Sequence, residues 1–94
     1  MTDRIARRLR IYGRVQGVWF RAWTLETAQG LGLDGWVRNR IDGTVEALAV
    51  GSADAIEKLI TACHEGPPAA KVEGVEVEDA KGIVPRGFTK KPTV

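Results

Sequence analysis

The sequence predicts an α+β sandwich in which two helices cover one face of an antiparallel sheet. Three observations predict it: two segments have apolar residues at helical spacing, four have strand-like patterns, and these segments follow one another as β-α-β-β-α-β. With 94 residues, the chain is long enough for one hydrophobic core but not for two. We therefore expect a single domain, residues 1–94.

The first two elements are a strand and a helix. Residues 5–12 intersperse apolar side chains among arginines, which predicts a half-buried strand with one solvated face. From Arg21 to about Leu31 the apolar residues recur every three to four positions, which predicts an amphipathic helix. Gly30 and Gly32 are expected to end it.

A hairpin is predicted next. Two runs with β-branched residues, 36–40 and 44–50, flank Asp42-Gly43, and glycine tolerates the positive φ that tight turns require. These runs are the second and third strands.

The last predicted elements are a second helix and a fourth strand. Ser52 suits the N-cap of a helix whose apolar stripe continues to Cys63, and Gly66-Pro67-Pro68 stops it. In residues 71–78, valines alternate with acids, and Gly74 indicates a bulge or a close approach.

With right-handed crossovers, this order gives the split βαβ arrangement of a ferredoxin-like α/β sandwich. Only GFTKKPTV, residues 87–94, could add a short fifth edge strand. Lys90 and Lys91 interrupt its apolar pattern, and Pro92 cannot donate to a strand ladder, so the sequence leaves this strand open.

Composition and charge limit the possible functions. The chain is 44% hydrophobic and 28% charged, as in ordinary globular domains, and MTDRIARRLR lacks the apolar core of a secretory signal. No apolar run approaches membrane-spanning length, so we expect a cytoplasmic protein with no membrane partner. Residues 1–40 carry a net charge of +5, all of their bases being arginine, whereas residues 41–94 carry −3. An anionic ligand near the first half would explain this charge, and a solvated strand face would explain Arg4, Arg7, Arg8 and Arg10 at least as well.

The inventory of nucleophiles and metal ligands is short. Ser52, Cys63 and His64 are the only residues of their types. Cys63 and His64 are neighbours on a helix, where their side chains diverge, so they cannot form a nucleophile and base pair. We expect Cys63 to be a core residue, and we expect no metal site and no cofactor. The G-x-G-x-x-G pattern at residues 30–35 closes a helix instead of opening one, which argues against a dinucleotide site.

The stretch GRVQGVWFR, residues 13–21, leads from the first strand into the first helix. Free backbone N–H groups and the positive end of the helix dipole meet at such a place. Gly17 would let the neighbouring amides turn inward as a phosphate nest, with Arg21 adding a bidentate charge. An ordinary β-to-α turn, with Val18 and Phe20 filling the core, explains the same residues equally well.

Three segments together resemble the acylphosphatase family, small enzymes that hydrolyse the carboxyl-phosphate bond of acyl phosphates. They are GRVQGVWFR, GLDGWVRNRIDGTVEALAVG and GPPAAKVEGVEVE, and the resemblance extends from about Leu9 to Val77. It implies that Arg21 is the essential phosphate-binding arginine and that Asn39 positions the attacking water. It also implies a phosphate-binding cradle that consists of Val15, Gln16, Gly17, Val18, Trp19, Phe20 and Arg21.

The implied partners are a small acyl phosphate as substrate and inorganic phosphate as product and inhibitor, and we expect a monomer. An acyl phosphate is already activated, so its hydrolysis needs electrostatic stabilisation and an oriented water, without a metal or a nucleophilic side chain.

Two alternatives come from other classes of protein. Arginines interspersed with tryptophans could bind RNA, but the chain lacks the aromatic segment of RNA-recognition sheets and its fourth strand is acidic, so we expect no nucleic-acid partner. A noncatalytic binding module of a larger enzyme is the second alternative. An assay of acyl-phosphate hydrolysis would distinguish it from an enzyme.

Overall fold

The computed structural model describes residues 4–81 and 84–94. In chain order its elements are β1 (Arg4–Arg14), α1 (Phe20–Gly30), β2 (Asp34–Asn39), β3 (Val45–Ser52), α2 (Ala53–Glu65), β4 (Lys71–Ala80) and β5 (Phe88–Lys90). The predicted β-α-β-β-α-β order is confirmed, and the fifth strand that the sequence left open is present.

The five strands form one sheet in the order β4-β1-β3-β2-β5. The pairs β1 with β4, β1 with β3, and β2 with β3 are antiparallel, as predicted. The short β5 instead runs parallel to β2, which makes the complete sheet mixed. Phe88 anchors β5 because its side chain is only 3% exposed, and Asp34 Oδ1 accepts a hydrogen bond of 2.7 Å from the N–H of Gly87 at the entry to the strand.

The core lies between the sheet and the two helices. Alternate residues of the central strands point into it, and α1 and α2 each contribute an apolar stripe. Its fully buried members include Leu9, Ile11, Val37, Val45, Ala47, Ala49, Phe20, Ala28, Leu59 and Cys63. Cys63 is therefore a core residue, as expected from the sequence.

A buried carboxylate joins three strands on the opposite face of the sheet. Glu46 of β3 accepts hydrogen bonds from Arg38 Nε at 2.8 Å and from Arg40 Nη1 at 2.9 Å, and Arg8 Nε lies 3.5 Å away. Burial raises the pKa of Glu46, but the hydrogen bonds and charges of Arg38 and Arg40 outweigh it, so the pKa lies below its usual value. The carboxylate is ionised at neutral pH and connects β1, β2 and the segment after β2.

The local signals at turns and helix ends are also confirmed. Ser52 Oγ accepts a hydrogen bond of 3.1 Å from the N–H of Ala55, which makes it the N-cap of α2. The N–H of Gly43 donates to Arg40 O at 3.1 Å within the hairpin turn. A Cβ atom at Gly74 would overlap the hydroxyl end of the Tyr12 side chain, so glycine allows the two to approach closely. The register between β1 and β4 shifts beside this contact.

Candidate active site

The loop between β1 and α1 has the backbone pattern of an anion nest. Gly17 has φ +73° and Trp19 has φ +67°, whereas the residues beside them do not have positive φ. Alternation of this kind turns successive N–H groups toward one side of the chain. Glycine adopts such a φ freely, but tryptophan does so only under constraint.

The N–H groups at this loop have no partner in the described part of the protein. Trp19 is the N-cap of α1 but makes no side-chain capping bond, and the first hydrogen bond of the helix is donated by Trp23 to Trp19 O at 3.0 Å. Among the residues that the structure describes, none accepts a hydrogen bond from the N–H groups of residues 17–22. These donors and the positive end of the helix dipole favour an anion at the start of α1.

A cavity of about 310 Å³ opens at this helix start. The loop, α1, the end of β2 and β5 all contribute to its wall, and none of the lining residues is acidic. The lining residues are Val15, Gly17, Trp19, Phe20, Arg21, Ala22, Asn39 and Lys90. Five of the seven residues expected in the phosphate cradle, together with Asn39, thus surround one cavity.

Arg21 brings an uncompensated positive charge to the cavity. Six other arginines form ion pairs with carboxylates: Arg4, Arg7, Arg8, Arg10, Arg38 and Arg40. No carboxylate within the described part of the chain pairs with Arg21, which is half-buried. Its guanidinium is therefore free to bind an anionic ligand through two parallel hydrogen bonds.

Asn39, which also lines the cavity, has an unpaired polar atom in its side chain. It is the last residue of β2, and its Oδ1 atom is buried without a hydrogen-bond donor among the described residues. An unsatisfied buried acceptor costs about 1–3 kcal/mol, so its presence beside a cavity makes Asn39 a candidate functional residue.

Two of the expected cradle residues do not line the cavity. Val18 is buried, with 7% of its surface exposed. Gln16 turns its side chain to the β2–β3 hairpin, where Nε2 donates to Arg40 O at 2.7 Å and to Thr44 O at 2.8 Å. Gln16 therefore ties the cradle loop to the segment that follows Asn39, a role that the sequence did not suggest.

Lys90 and Ala22 also line the cavity, although neither was expected there from the sequence. Ala22 lies one residue after Arg21 in the first turn of α1, so helical geometry alone could have suggested it. Lys90 reaches the cavity only because β5 pairs with β2 and places Lys90 opposite Val37. No pattern in the sequence predicts that register.

The described residues contain neither a reactive thiol nor a cluster of metal ligands. Burial raises the pKa of the Cys63 thiol to about 12, so it is protonated at neutral pH and is a poor nucleophile. Within residues 4–81 and 84–94, no three His, Cys, Asp or Glu side chains lie together as a metal site. None of the described helices has the length and apolarity needed to cross a bilayer.

Together, these features define a class: small α+β sandwiches with two helices on one face of the sheet and, here, a cavity at the N-terminus of α1 beside Arg21. The sequence profile of the acylphosphatase family matches residues 7–90. An acylphosphatase of Rhizorhabdus wittichii is 62% identical over 92 residues, which cover 98% of this chain and 93% of the relative. The chain belongs to the acylphosphatase family.

Solved structures agree with this assignment. The structure of an acylphosphatase from Coxiella burnetii, 35% identical, superposes with a TM-score of 0.91 and covers 95% of this chain and 94% of that one. Full-length HypF, in its phosphate- and nucleotide-bound form, matches 99% of this chain with a TM-score of 0.89 and 26% identity, but the match covers only 12% of HypF. The present chain is a hydrolase that acts on acyl phosphates, and the family, fold and activity predicted from the sequence are confirmed.

Proposed function

We propose that residues 15–21 bind the phosphoryl group of the acyl phosphate and that Asn39 holds the attacking water. One observation supports this assignment: the first residues of α1, Arg21 and Asn39 line one cavity, and among the described residues the N–H groups at the helix start, the Arg21 guanidinium and Asn39 Oδ1 have no partner. The first two suit the phosphoryl oxygens, and the third suits a water molecule.

In the binding step, the phosphoryl oxygens receive hydrogen bonds from the loop amides and from the Arg21 guanidinium. The amides are fixed in direction before the substrate arrives, because the loop is tied to the hairpin by Gln16 and begins a helix. Preorganised donors of this kind stabilise charge that develops in the transition state without reorganisation.

In the chemical step, Asn39 Oδ1 accepts a hydrogen bond from water and directs the water oxygen toward phosphorus. As the new P–O bond forms, the bond between phosphorus and the acyl oxygen breaks, and the electron pair leaves with the carboxylate. A phosphoryl oxygen takes the proton of the water, so the products are a carboxylate and inorganic phosphate. No side chain changes its protonation state, which fits a cavity without Cys, His or acid in its lining.

Inorganic phosphate has the shape and charge of the bound phosphoryl group, so we propose that it inhibits competitively. Because one chain supplies every residue of the proposed site, we propose that the enzyme acts as a monomer.

The roles of Arg21 and Asn39 lead to different mutant behaviour. Arg21 meets the phosphoryl group before and during the reaction, so Arg21→Ala should lose both phosphate binding and turnover. Arg21→Lys should also be poor, because an ammonium lacks the bidentate geometry. Asn39→Ala should bind phosphate with near-parental affinity but turn over roughly 10²-fold more slowly, the scale for one lost positioned group.

The test is phosphate titration by calorimetry together with single-turnover hydrolysis of benzoyl phosphate, each on folded variants. Arg14→Ala is the matched control, because Arg14 is exposed and does not line the cavity. It should keep near-parental values of both quantities. Parental turnover in Asn39→Ala, or parental phosphate affinity in Arg21→Ala, would show that these roles are wrongly assigned.

A further inference from the structure

We propose that Lys90 determines substrate preference, favouring acyl phosphates whose acyl group carries a second anionic group, such as a carboxylate. The inference rests on the phosphate cradle proposed above, because it assigns a role to the part of the cavity that the cradle does not use.

Lys90 reaches the cavity through the alternation of β5. Phe88 points into the core and is 3% exposed, so Lys90, two residues later, emerges on the same helix-facing side of the sheet. It pairs with Val37 of β2, and Asn39 follows Val37 on that same side. The Lys90 side chain is exposed and lines the cavity together with Arg21 and Asn39.

The charge of Lys90 has no partner in the described part of the protein. No carboxylate forms an ion pair with it there, and no acidic residue lines the cavity. The neighbouring Lys91 provides a contrast within the same strand edge. Its ammonium lies 5.3 Å from the centroid of the Trp36 ring, where it makes a cation–π contact, and Lys91 does not line the cavity.

The cradle and Lys90 belong to different elements, which separates their roles. The loop amides and Arg21 can satisfy the phosphoryl group, so the acyl group extends into the rest of the cavity. Lys90 is a flexible point charge, which suits a carboxylate or second phosphate whose position varies among substrates. Trp19, 81% exposed and also in the lining, offers an apolar surface to the carbon skeleton between the two anions.

A pair of aryl substrates isolates this charge. Benzoyl phosphate and 4-carboxybenzoyl phosphate differ only in a carboxylate remote from the reacting bond. We expect Lys90→Met to lower the ratio of kcat/KM for the carboxylated substrate to that for benzoyl phosphate by roughly two- to fivefold at low ionic strength, the range for one exposed ion pair. Added salt should reduce the difference between parent and variant. Lys90→Glu should lower the ratio further.

Lys91→Met is the matched control, because it removes the same charge from the adjacent residue, outside the cavity. It should leave the ratio at its parental value. An unchanged ratio in Lys90→Met would overturn the proposal. An equal fall of the ratio in both variants would also overturn it, because it would show that the positive charge of this surface acts as a whole and that Lys90 has no specific contact. Failure of the cradle would appear separately, as hydrolysis of benzoyl phosphate that survives Arg21→Ala.

Discussion

At the scale of single residues, Trp19 stands out because its backbone is strained. It is the one residue other than glycine with positive φ in the described part of the chain, and its side chain is 81% exposed, so packing gains little from it. The left-handed conformation costs an L-residue about 1–2 kcal/mol. Strain of this kind persists where the surrounding structure enforces it, often at functional sites.

Trp19→Gly should therefore stabilise the protein. Relief of strain should exceed the added entropy of glycine in the unfolded chain, for a net gain of about 0.5–1 kcal/mol in the free energy of unfolding. Trp19→Ala keeps a Cβ atom and should gain much less. Urea unfolding of the three proteins measures this, and equal stability of Trp19→Gly and Trp19→Ala would mean that the conformation is not strained.

Local pattern in the sequence places Gly17 and Arg21 at a junction that is either a phosphate nest or an ordinary turn, whereas it does not point to the distant residues of the candidate site. Gly17 and Arg21 lie within nine consecutive residues that join a strand to a helix, and the geometry of that junction follows from local pattern. Asn39 was assigned only through the family resemblance, because its unpaired Oδ1 is a property of packing. Lys90 was seen only as a disruption of an apolar pattern, since its approach to the cavity depends on long-range strand pairing.

At the scale of elements, the end of the chain continues the pairing of β5 along β2. The N–H of Lys91 donates to Val37 O at 2.9 Å, and the N–H of Val94 donates to Asn39 O at 3.2 Å. Val94 O in turn accepts from the N–H of Ile41 at 2.7 Å. These bonds, two of them made by Val94, hold the backbone on both sides of Arg40 and so fix the position of Asn39.

Deletion of Thr93 and Val94 should then lower kcat more than it weakens phosphate binding. Asn39 would lose the backbone hydrogen bond that Val94 donates to it, so its side chain should shift. We expect kcat to fall about tenfold, which is less than the loss that a displacement of about 1 Å can cause. Phosphate affinity should stay near parental, since the cradle lies on another loop. The measurements are steady-state kinetics and phosphate calorimetry.

Val94→Ala is the control for the deletion, because both bonds of Val94 are made by its backbone. It should keep parental kcat. If the deleted protein also keeps parental kcat, the terminal pairing does not position Asn39. The sequence could not predict this pairing. Strands at a sheet edge need few apolar residues, so the segment with Lys90, Lys91 and Pro92 has no recognisable strand pattern.

At the scale of the whole molecule, carboxylates connect the sheet and make its stability dependent on pH. Asp34 accepts from the N–H of Gly87 and pairs with Arg4, which lowers its pKa below the ordinary 3.8. In Glu46 the cost of burial raises the pKa, but its arginine partners outweigh that effect and hold the pKa below the ordinary 4.5. Groups with depressed folded-state pKa values stabilise the protein above the unfolded-state pKa and lose that contribution as pH falls.

The free energy of unfolding should therefore be steady from neutral pH down to about 4.5 and fall below it. Glu46→Gln should cost about 1–3 kcal/mol at pH 7, because three arginines lose their ionised partner. The difference between parent and variant should narrow as pH falls through the folded pKa of Glu46. Urea unfolding of the parent and of Glu46→Gln, from neutral pH to below 4.5, measures this difference in the free energy of unfolding. A difference that does not change with pH would show that Glu46 does not act through its charge.

The place of β5 at the edge of the sheet leaves one wall of the cavity open to variation. In the described sheet β5 pairs with β2 alone, and Thr89 and Lys90 are exposed whereas Phe88 is buried. Substitutions at the exposed positions of this strand should therefore change the lining of the cavity at little cost to the core between the sheet and the helices. The edge strand is thus a place where substrate preference can change while the core stays the same.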